Sequence, residues 1–215
     1  MTTVAPWTSL PEWNGALNTR ALLPSSPSAP RFLQNLQTRI ASSRVLPRLH
    51  ESLAQIYDRH ADALYGFLLN LTRDEADTRD VLQEVFLKLA RQPALLADVR
   101  DERGFLLRLA HNQARDLFRR RDARNRNEGR FADEACTVFE PGDPGDDAVF
   151  REQVAAALGL LPEEQRAVVH LKLWEGLTFD AIGAVLGIPL HTAASRYRYA
   201  IDKLRSHLRP IITKP

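Results

Sequence analysis

Residues 190–208 carry side chains of the types that read nucleic acid. On a helix starting near Leu190, the apolar groups gather on one side, and the opposite side holds polar and cationic groups: His191, Thr192, Ser195, Arg198 and Tyr199, flanked by Ala194 and Arg196. Guanidinium and hydroxyl groups on the first turns of such a helix reach base edges and phosphates in the major groove. The pattern therefore predicts a recognition helix. The alternative is a structural helical hairpin with a solvated face.

The residues just before this helix have the signals of a helix-turn-helix. Thr178 is a suitable N-cap for a short helix that ends at Leu186. Gly183 is small where two helices must cross closely, and Gly187 suits a left-handed turn. A pair of helices in this arrangement presents the second one to DNA.

A second one-sided basic face lies on the helix predicted at Phe105–Arg121. Its polar side carries a stripe of guanidinium and amide groups: Arg108, Asn112, Arg115, Arg119 and Arg120. Phe105 and Leu109 are expected to project beside the stripe. Cations interleaved with apolar and aromatic groups fit backbone contacts and base stacking on opened strands. The alternative is an ordinary solvated arginine face.

A third surface, on the helix predicted at Ala76–Ala90, fits a protein partner. Its core side is apolar, and its outer side is predicted to expose Asp80, Gln83, Glu84 and Leu87. An exposed leucine framed by carboxylates and an amide has the character of a docking surface for a basic helix.

Catalytic and metal-binding patterns are absent from the sequence. The six histidines are scattered, no glycine-rich phosphate loop occurs, and Cys136 lies in a polar stretch without a neighbouring base. His170 and Trp174 are expected to be packing residues. We therefore expect no enzyme, no cofactor, no metal and no small-molecule substrate. A single cysteine and the lack of any long apolar run predict a cytoplasmic protein without membrane insertion.

Net charge divides unevenly along the 215 residues, although the total is only +2. Residues 101–130 hold nine arginines against five acidic residues, and 187–215 hold six basic residues against one. Between them, residues 131–186 hold eleven acidic and three basic residues. Two basic islands separated by acidic chain indicate contact with a polyanion at two places.

The periodicity predicts an all-α protein of two small helical domains joined by a flexible linker. Residues 1–49, rich in proline, form an expected disordered extension. Its composition would also fit a transit peptide, but a prokaryotic extension or an upstream mis-assigned start codon is the favoured interpretation. The first domain spans 50–121, the acidic linker 122–147 and the helix-turn-helix domain 148–210, with Pro210 ending the last helix. No stretch has the alternation of a strand.

These blocks resemble the sigma factors of the extracytoplasmic-function group. The run Asp80-Val-Leu-Gln-Glu-Val-Phe-Leu87 is similar to the group's polymerase-binding motif, and Phe105-Leu-Leu-Arg-Leu-Ala-His-Asn112 to its minus-ten segment. Leu161–Val169 and Glu175–Ile182 look like its second domain. The resemblance spans residues 50–208.

The resemblance implies a promoter-specific initiation factor. Asp80, Gln83, Glu84 and Leu87 would bind core RNA polymerase. The stripe with Phe105 would bind and open the minus-ten element, and the Thr192–Tyr199 face would read the minus-thirty-five element. An anti-sigma factor is a common partner in the group. The sequence departs from the group's pattern at Phe105, Ala194 and Tyr199, so no promoter sequence carries over.

Two alternatives stay open on the sequence. A stand-alone helix-turn-helix regulator accounts for residues 178–208 but not for the other two surfaces. A sigma-like protein that sequesters polymerase needs the docking surface but no specific DNA-reading face.

Overall fold

The structure, a computed structural model, describes residues 47–128 and 146–212. These ranges contain seven α-helices and no strand: α1 (Pro47–Thr72), α2 (Glu75–Arg91), α3 (Glu102–Glu128), α4 (Asp146–Gly159), α5 (Glu163–Leu173), α6 (Phe179–Leu186) and α7 (Leu190–Ile212). A short 3-10 turn at Pro93–Leu96 lies between α2 and α3. The predicted all-α class is therefore confirmed for the described residues. Residues 1–46 of the expected disordered extension and most of the linker lie outside the described residues, whereas residues 47–49, expected in that extension, form the start of α1.

Helices α1, α2 and α3 pack against one another and form the N-terminal domain. Aromatic side chains fill its centre, where the rings of Tyr57 and Phe86 meet with centroids 4.9 Å apart. Both side chains are at most 1% exposed, and burying a group of this size contributes roughly 1.5–3 kcal/mol. At the surface, His60 Nε2 lies 2.6 Å from Glu102 Oε1 and joins α1 to the first turn of α3.

The ends of α2 are stabilised by local side chains. The Asp74 carboxylate accepts a hydrogen bond of 2.8 Å from the Asp77 amide at the N-terminus. Acidic residues occupy the first turn and Lys88 and Arg91 the last, which matches the polarity of the helix dipole. These caps set where α2 begins and hence which of its residues face outward.

Helices α6 and α7 form the predicted helix-turn-helix. Thr178 Oγ1 accepts from the Ala181 amide at 3.2 Å, and Gly187 has the left-handed conformation with φ 68°. A Cβ atom at Gly183 would lie 2.7 Å from the Ile188 carbonyl oxygen, so only glycine lets the turn approach α6 this closely. The turn thereby sets the angle at which α7 leaves the domain.

The two domains pack directly against each other. Helix α5 lies against α1, and α6 lies against α3. One apolar cluster contains buried residues of both domains, among them Leu68 and Leu107 from the first and Val168 and Leu186 from the second. A second cluster lies inside the C-terminal domain, between α4, α5 and α7. The sequence predicts a tethered pair, whereas the described domains share a core.

Two predicted surface leucines are buried. Leu87, predicted on the outer side of α2, is 2% exposed, and Leu109, predicted beside the arginine stripe, is 7% exposed. The 3-10 turn packs on α2 in addition to the two neighbouring helices, and its partly buried Leu96 packs against the same apolar cluster. Helix α3 is covered in addition by α6 from the other domain. Both predictions of exposure are wrong.

Two helix ends also differ from the sequence prediction. Helix α3 continues to Glu128, beyond the predicted end at Arg121, and α7 continues through Pro210 to Ile212. Proline at position 210 removes one backbone N–H near the end of the helix but does not terminate it there. Within the described ranges, no helix is long and apolar enough to cross a membrane.

Candidate nucleic-acid interface

Helix α3 presents its arginine stripe to solvent. Five of the predicted residues are exposed: Arg108, Asn112, Arg115, Arg119 and Arg120. Phe105 is half-buried against the core, and the Arg108 guanidinium lies 5.7 Å from the centre of its ring. The stripe therefore combines exposed cations with one aromatic ring, as expected for contacts to phosphates and an unstacked base.

The side chains predicted to read DNA on α7 differ in how far they are exposed. His191, Arg198 and Tyr199 are exposed, whereas Thr192, Ala194, Ser195 and Arg196 are half-buried. The Arg198 guanidinium lies 5.1 Å from the centre of the Tyr199 ring, and Tyr199 is 54% exposed. Ser195 Oγ donates to the Thr192 carbonyl at 3.0 Å, which leaves the hydroxyl oxygen available as an acceptor. The first three turns can therefore offer both donors and acceptors.

The outer face of α2 is acidic, in contrast to the cationic faces of α3 and α7. Asp80 and Glu84 are exposed and Gln83 is half-buried, while the buried Leu87 lies in the core beneath them. Of the four residues predicted to form this surface, three can touch a partner in the described conformation. Leu87 can act only by supporting the helix from within.

A buried polar cluster at the domain seam was not identified from the sequence. His170 is fully buried between Phe67 of α1 and Trp174, with ring centroids 5.4 and 5.2 Å away. Glu175 Oε1 lies 3.8 Å from His170 Nε2, and Arg103 Nε of α3 donates to Glu175 Oε2 at 2.6 Å. The expectation that both are packing residues is confirmed, because His170 is fully buried and the half-buried Trp174 packs against the apolar cluster of the C-terminal domain. Their position between two domains could not be inferred, because the contact partner is distant in sequence.

The electrostatics of the seam favour a neutral histidine. Burial lowers the pKa of His170, and the nearby Glu175 only partly offsets this. Burial also opposes the charge on Glu175, but His170 and Arg103 outweigh it and hold the pKa of that carboxyl below its ordinary value. His111, nearby on α3, has its pKa lowered to about 4 by burial and by Arg115 and Arg196.

Acidification should destabilise the fold through His111. Its folded pKa of about 4 lies below the unfolded value near 6.5, so the unfolded chain binds the proton first as the pH falls. Stability is complete above pH 6.5 and is lost toward pH 4, and we expect about 2 kcal/mol less free energy of unfolding at pH 5 than at pH 7. Urea unfolding at both pH values measures this loss of unfolding free energy. We expect His111→Gln to reduce the difference between the two pH values, and His207→Gln, at an exposed site, to leave it unchanged. If His111→Gln lost as much unfolding free energy between pH 7 and pH 5 as the parent does, His111 would not be the group responsible.

No group of three or more His, Cys, Asp or Glu side chains that could hold a metal ion occurs in the part of the chain that is described. The described geometry defines a class of DNA-binding proteins. It is all-helical, with an exposed arginine-lined helix and a separate helix-turn-helix, and each of these is suited to contact DNA.

Comparison with known proteins narrows this class. Residues 56–124 match the sequence profile of Sigma-70 region 2, and residues 157–206 match that of Sigma-70, region 4. The chain is 35% identical over 158 residues to the ECF RNA polymerase sigma factor SigL of Mycobacterium tuberculosis, covering 73% of this chain and 88% of that protein. The chain belongs to the family of extracytoplasmic-function RNA polymerase sigma factors.

Two solved structures have similar folds. The sigma factor RpoE of Bartonella quintana, in complex with the anti-sigma factor NepR, aligns with a TM-score of 0.63 at 19% identity and covers 76% of this chain and 98% of its own. CnrH, in complex with the cytosolic domain of CnrY, aligns with a TM-score of 0.53 at 26% identity, covering 83% and 98%.

Proposed function

We propose that this sigma factor binds core RNA polymerase through the acidic face of α2 and directs it to promoters with two recognition elements. The observation that carries the proposal is the presence of two separate cationic faces, on α3 and α7, together with one exposed acidic face on α2. A regulator that binds DNA alone needs neither the acidic face nor the second cationic one. The sigma-factor relatives support the same reading.

The polymerase contact rests on Asp80, Gln83 and Glu84. Two exposed carboxylates one helical turn apart attract a basic partner helix, and the amide between them adds directional hydrogen bonds. The caps of α2 and the buried Leu87 hold this face rigid, so little ordering entropy is lost on binding.

The two DNA roles follow from the shapes of the two faces. On α3, exposed arginines would bind phosphates, and Phe105 would stack on a base of the opened minus-ten element. On α7, the Arg198–Tyr199 pair and the neighbouring Ser195 would contact base edges of the minus-thirty-five element. We further propose that the chain acts in the cytoplasm, performs no catalysis itself and has an anti-sigma factor as a partner, as RpoE of Bartonella quintana does in its complex with NepR.

A reconstituted transcription assay tests the proposal. Core polymerase is incubated with the full chain and a library of random upstream sequences, and transcripts are sequenced. We expect initiation from templates that share two spaced elements. Specific DNA binding without polymerase, and no transcript with it, would favour the stand-alone regulator. Tight polymerase binding with no transcript from any template would favour a sequestering protein.

Charge reversal on α2 should remove polymerase binding. In the variant Asp80→Lys/Glu84→Lys both exposed carboxylates become repulsive to a basic partner, and we expect the dissociation constant for core polymerase to rise by about 30-fold or more. The matched control, Asp58→Lys/Asp98→Lys, makes the same change of charge at exposed positions elsewhere in the N-terminal domain. Equal loss in both variants would assign the effect to net charge rather than to this surface.

A further inference from the structure

Arg121 of α3 is turned away from the other arginines of its helix. On a helical wheel, the exposed stripe of guanidinium groups lies on one side of α3, and Arg121 falls on the opposite side, in line with the fully buried Ala110 and Ala114. The Arg121 guanidinium forms an ion pair with the carboxylate of Asp77 in the first turn of α2. Arg121 therefore belongs to the contact between the two helices rather than to the DNA-facing stripe.

Asp77 has a well-defined position at the start of α2. Its side chain is 12% exposed, against 46% for that of Arg121. Its backbone amide donates to the Asp74 carboxylate at 2.8 Å. The next residue, Thr78, is fully buried, and its hydroxyl oxygen lies 2.7 Å from that of Thr72 at the end of α1. The Asp77 carboxylate is thus carried by a turn that is fixed to both α1 and α2.

The part of α3 that follows Ala114 is largely exposed. Ala114 is fully buried, whereas none of residues 115–124 is, and residues 119–124 are all exposed. Arg120 and Arg124 place like charges one turn apart, which disfavours the helix. Local unfolding is easiest where few apolar groups are buried. The ion pair with Asp77 joins this exposed part of α3 to a neighbouring helix.

The ion pair contributes position more than stability. Burial opposes the charge of Asp77 and raises the pKa of its carboxyl, and the attraction of Arg121 only partly offsets this rise. The negative charges of Asp74 and Asp80 raise the same pKa further. A carboxylate that is costly to bury gains little net free energy from its partner. Replacing it with the isosteric amide should therefore leave the domain folded while releasing the guanidinium.

Two arginines of the DNA-facing stripe, Arg119 and Arg120, immediately precede Arg121. The Arg119 guanidinium lies 3.6 Å from the Asp116 carboxylate, and Arg120 Nε donates to the Asp116 carbonyl at 3.1 Å. Because these contacts lie within α3, the two guanidinium groups move with the helix. Phosphate contacts set the register of a protein on DNA, so the placement of this turn of α3 matters for binding.

We propose that Asp77 is a positioning residue for binding of the minus-ten element and that it acts through its ion pair with Arg121. The pair holds the last turns of α3 so that Arg119 and Arg120 reach the DNA backbone. This inference deepens the proposed function and rests on it. Asp77 lies one turn before Asp80 on the same side of α2, but it is buried, so it is not part of the surface offered to polymerase.

Amide hydrogen exchange in the free, full chain tests whether the ion pair holds α3. We expect Asp77→Asn to raise the exchange rates of amides in residues 119–124 by about fivefold, because this segment then opens more often. The matched control is Glu75→Gln, which also removes a carboxylate from the first turn of α2 and breaks an ion pair, with Arg79, on the exposed surface. Equal exchange in the two variants would show that Asp77 does not hold this segment.

Binding of the holoenzyme to a fork-junction DNA tests the positioning role. The fork carries the minus-ten sequence that the transcription assay selects. We expect Asp77→Asn to weaken this binding by about fivefold and to reduce its salt dependence by about one phosphate contact, with polymerase affinity unchanged. The sign is informative, because removal of a negative charge close to DNA otherwise favours binding. If Arg121 were a phosphate contact held back by Asp77, Asp77→Asn would bind the fork more tightly, and the proposal would be overturned.

A double variant separates one shared contact from two independent effects. Since Asp77 acts through Arg121, Asp77→Asn should cause no further loss of fork binding in an Arg121→Gln background. An additive loss would contradict the proposal, as would a loss of polymerase affinity in Asp77→Asn that Glu75→Gln does not share. Failure of the proposed function has a different signature. The parent would then yield no transcripts in the selection, whereas the exchange difference between Asp77→Asn and Glu75→Gln would remain.

Discussion

Leu87→Ala is expected to destabilise the whole chain rather than only its polymerase-binding surface. Leu87 is 2% exposed within the shared apolar cluster, and truncating a leucine in such a site costs about 2–5 kcal/mol from lost transfer energy and the cavity left behind. For a domain of ordinary stability this is a large share of the total. The free energy of unfolding from urea titration, followed by circular dichroism, measures the loss.

The matched control is Leu160→Ala, because Leu160 is 62% exposed and its truncation should change stability by less than about 0.5 kcal/mol. Polymerase affinity of Leu87→Ala, measured at low temperature where the variant stays folded, should be close to that of the parent. Unchanged stability with lost polymerase binding would mean that Leu87 is a direct contact residue, as the sequence pattern predicts, and that its burial does not persist in solution.

Gly183→Val should abolish recognition through the helix-turn-helix. Even the first atom of the new side chain would lie 2.7 Å from the Ile188 carbonyl oxygen, and the Ile188 amide donates to the Gly183 carbonyl at 3.0 Å, so the turn has no room to retreat. We expect a loss of about 3 kcal/mol or more of unfolding free energy, since the clash is with backbone and the residue is fully surrounded.

Ala184→Val separates this clash from the general effect of a β-branched residue in α6. Ala184 is exposed, so its replacement should cost only the propensity difference of roughly 0.5 kcal/mol. Binding of minus-thirty-five DNA by the assembled holoenzyme should fall in Gly183→Val and persist in Ala184→Val. If the two variants bound minus-thirty-five DNA equally well, the close approach of the Ile188 carbonyl to Gly183 would be contradicted.

The helices could be predicted from sequence because their signals are local. Apolar spacing defined each helix, and Thr178, Gly183 and Gly187 defined the turn between α6 and α7 by side-chain chemistry that acts within a few residues. The exposed residues of the two cationic faces were also predictable, since a guanidinium group is rarely buried without a partner.

Burial by distant segments could not be predicted in the same way. Leu87 and Leu109 lie off the main apolar stripes of their helices, and whether such a side chain is exposed depends on what else packs there. The 3-10 turn at Pro93–Leu96, which has the sequence of a loop, packs on α2, and a helix of the other domain packs on α3. The seam cluster of His170, Glu175 and Arg103 escaped prediction for the same reason, since its members come from separate domains.

The shared core has a consequence for how the chain unfolds. Buried side chains of both domains, among them Val168 and Leu186, belong to one apolar cluster, so loss of one domain would expose apolar surface of the other. The two domains should therefore unfold in one cooperative transition rather than in two.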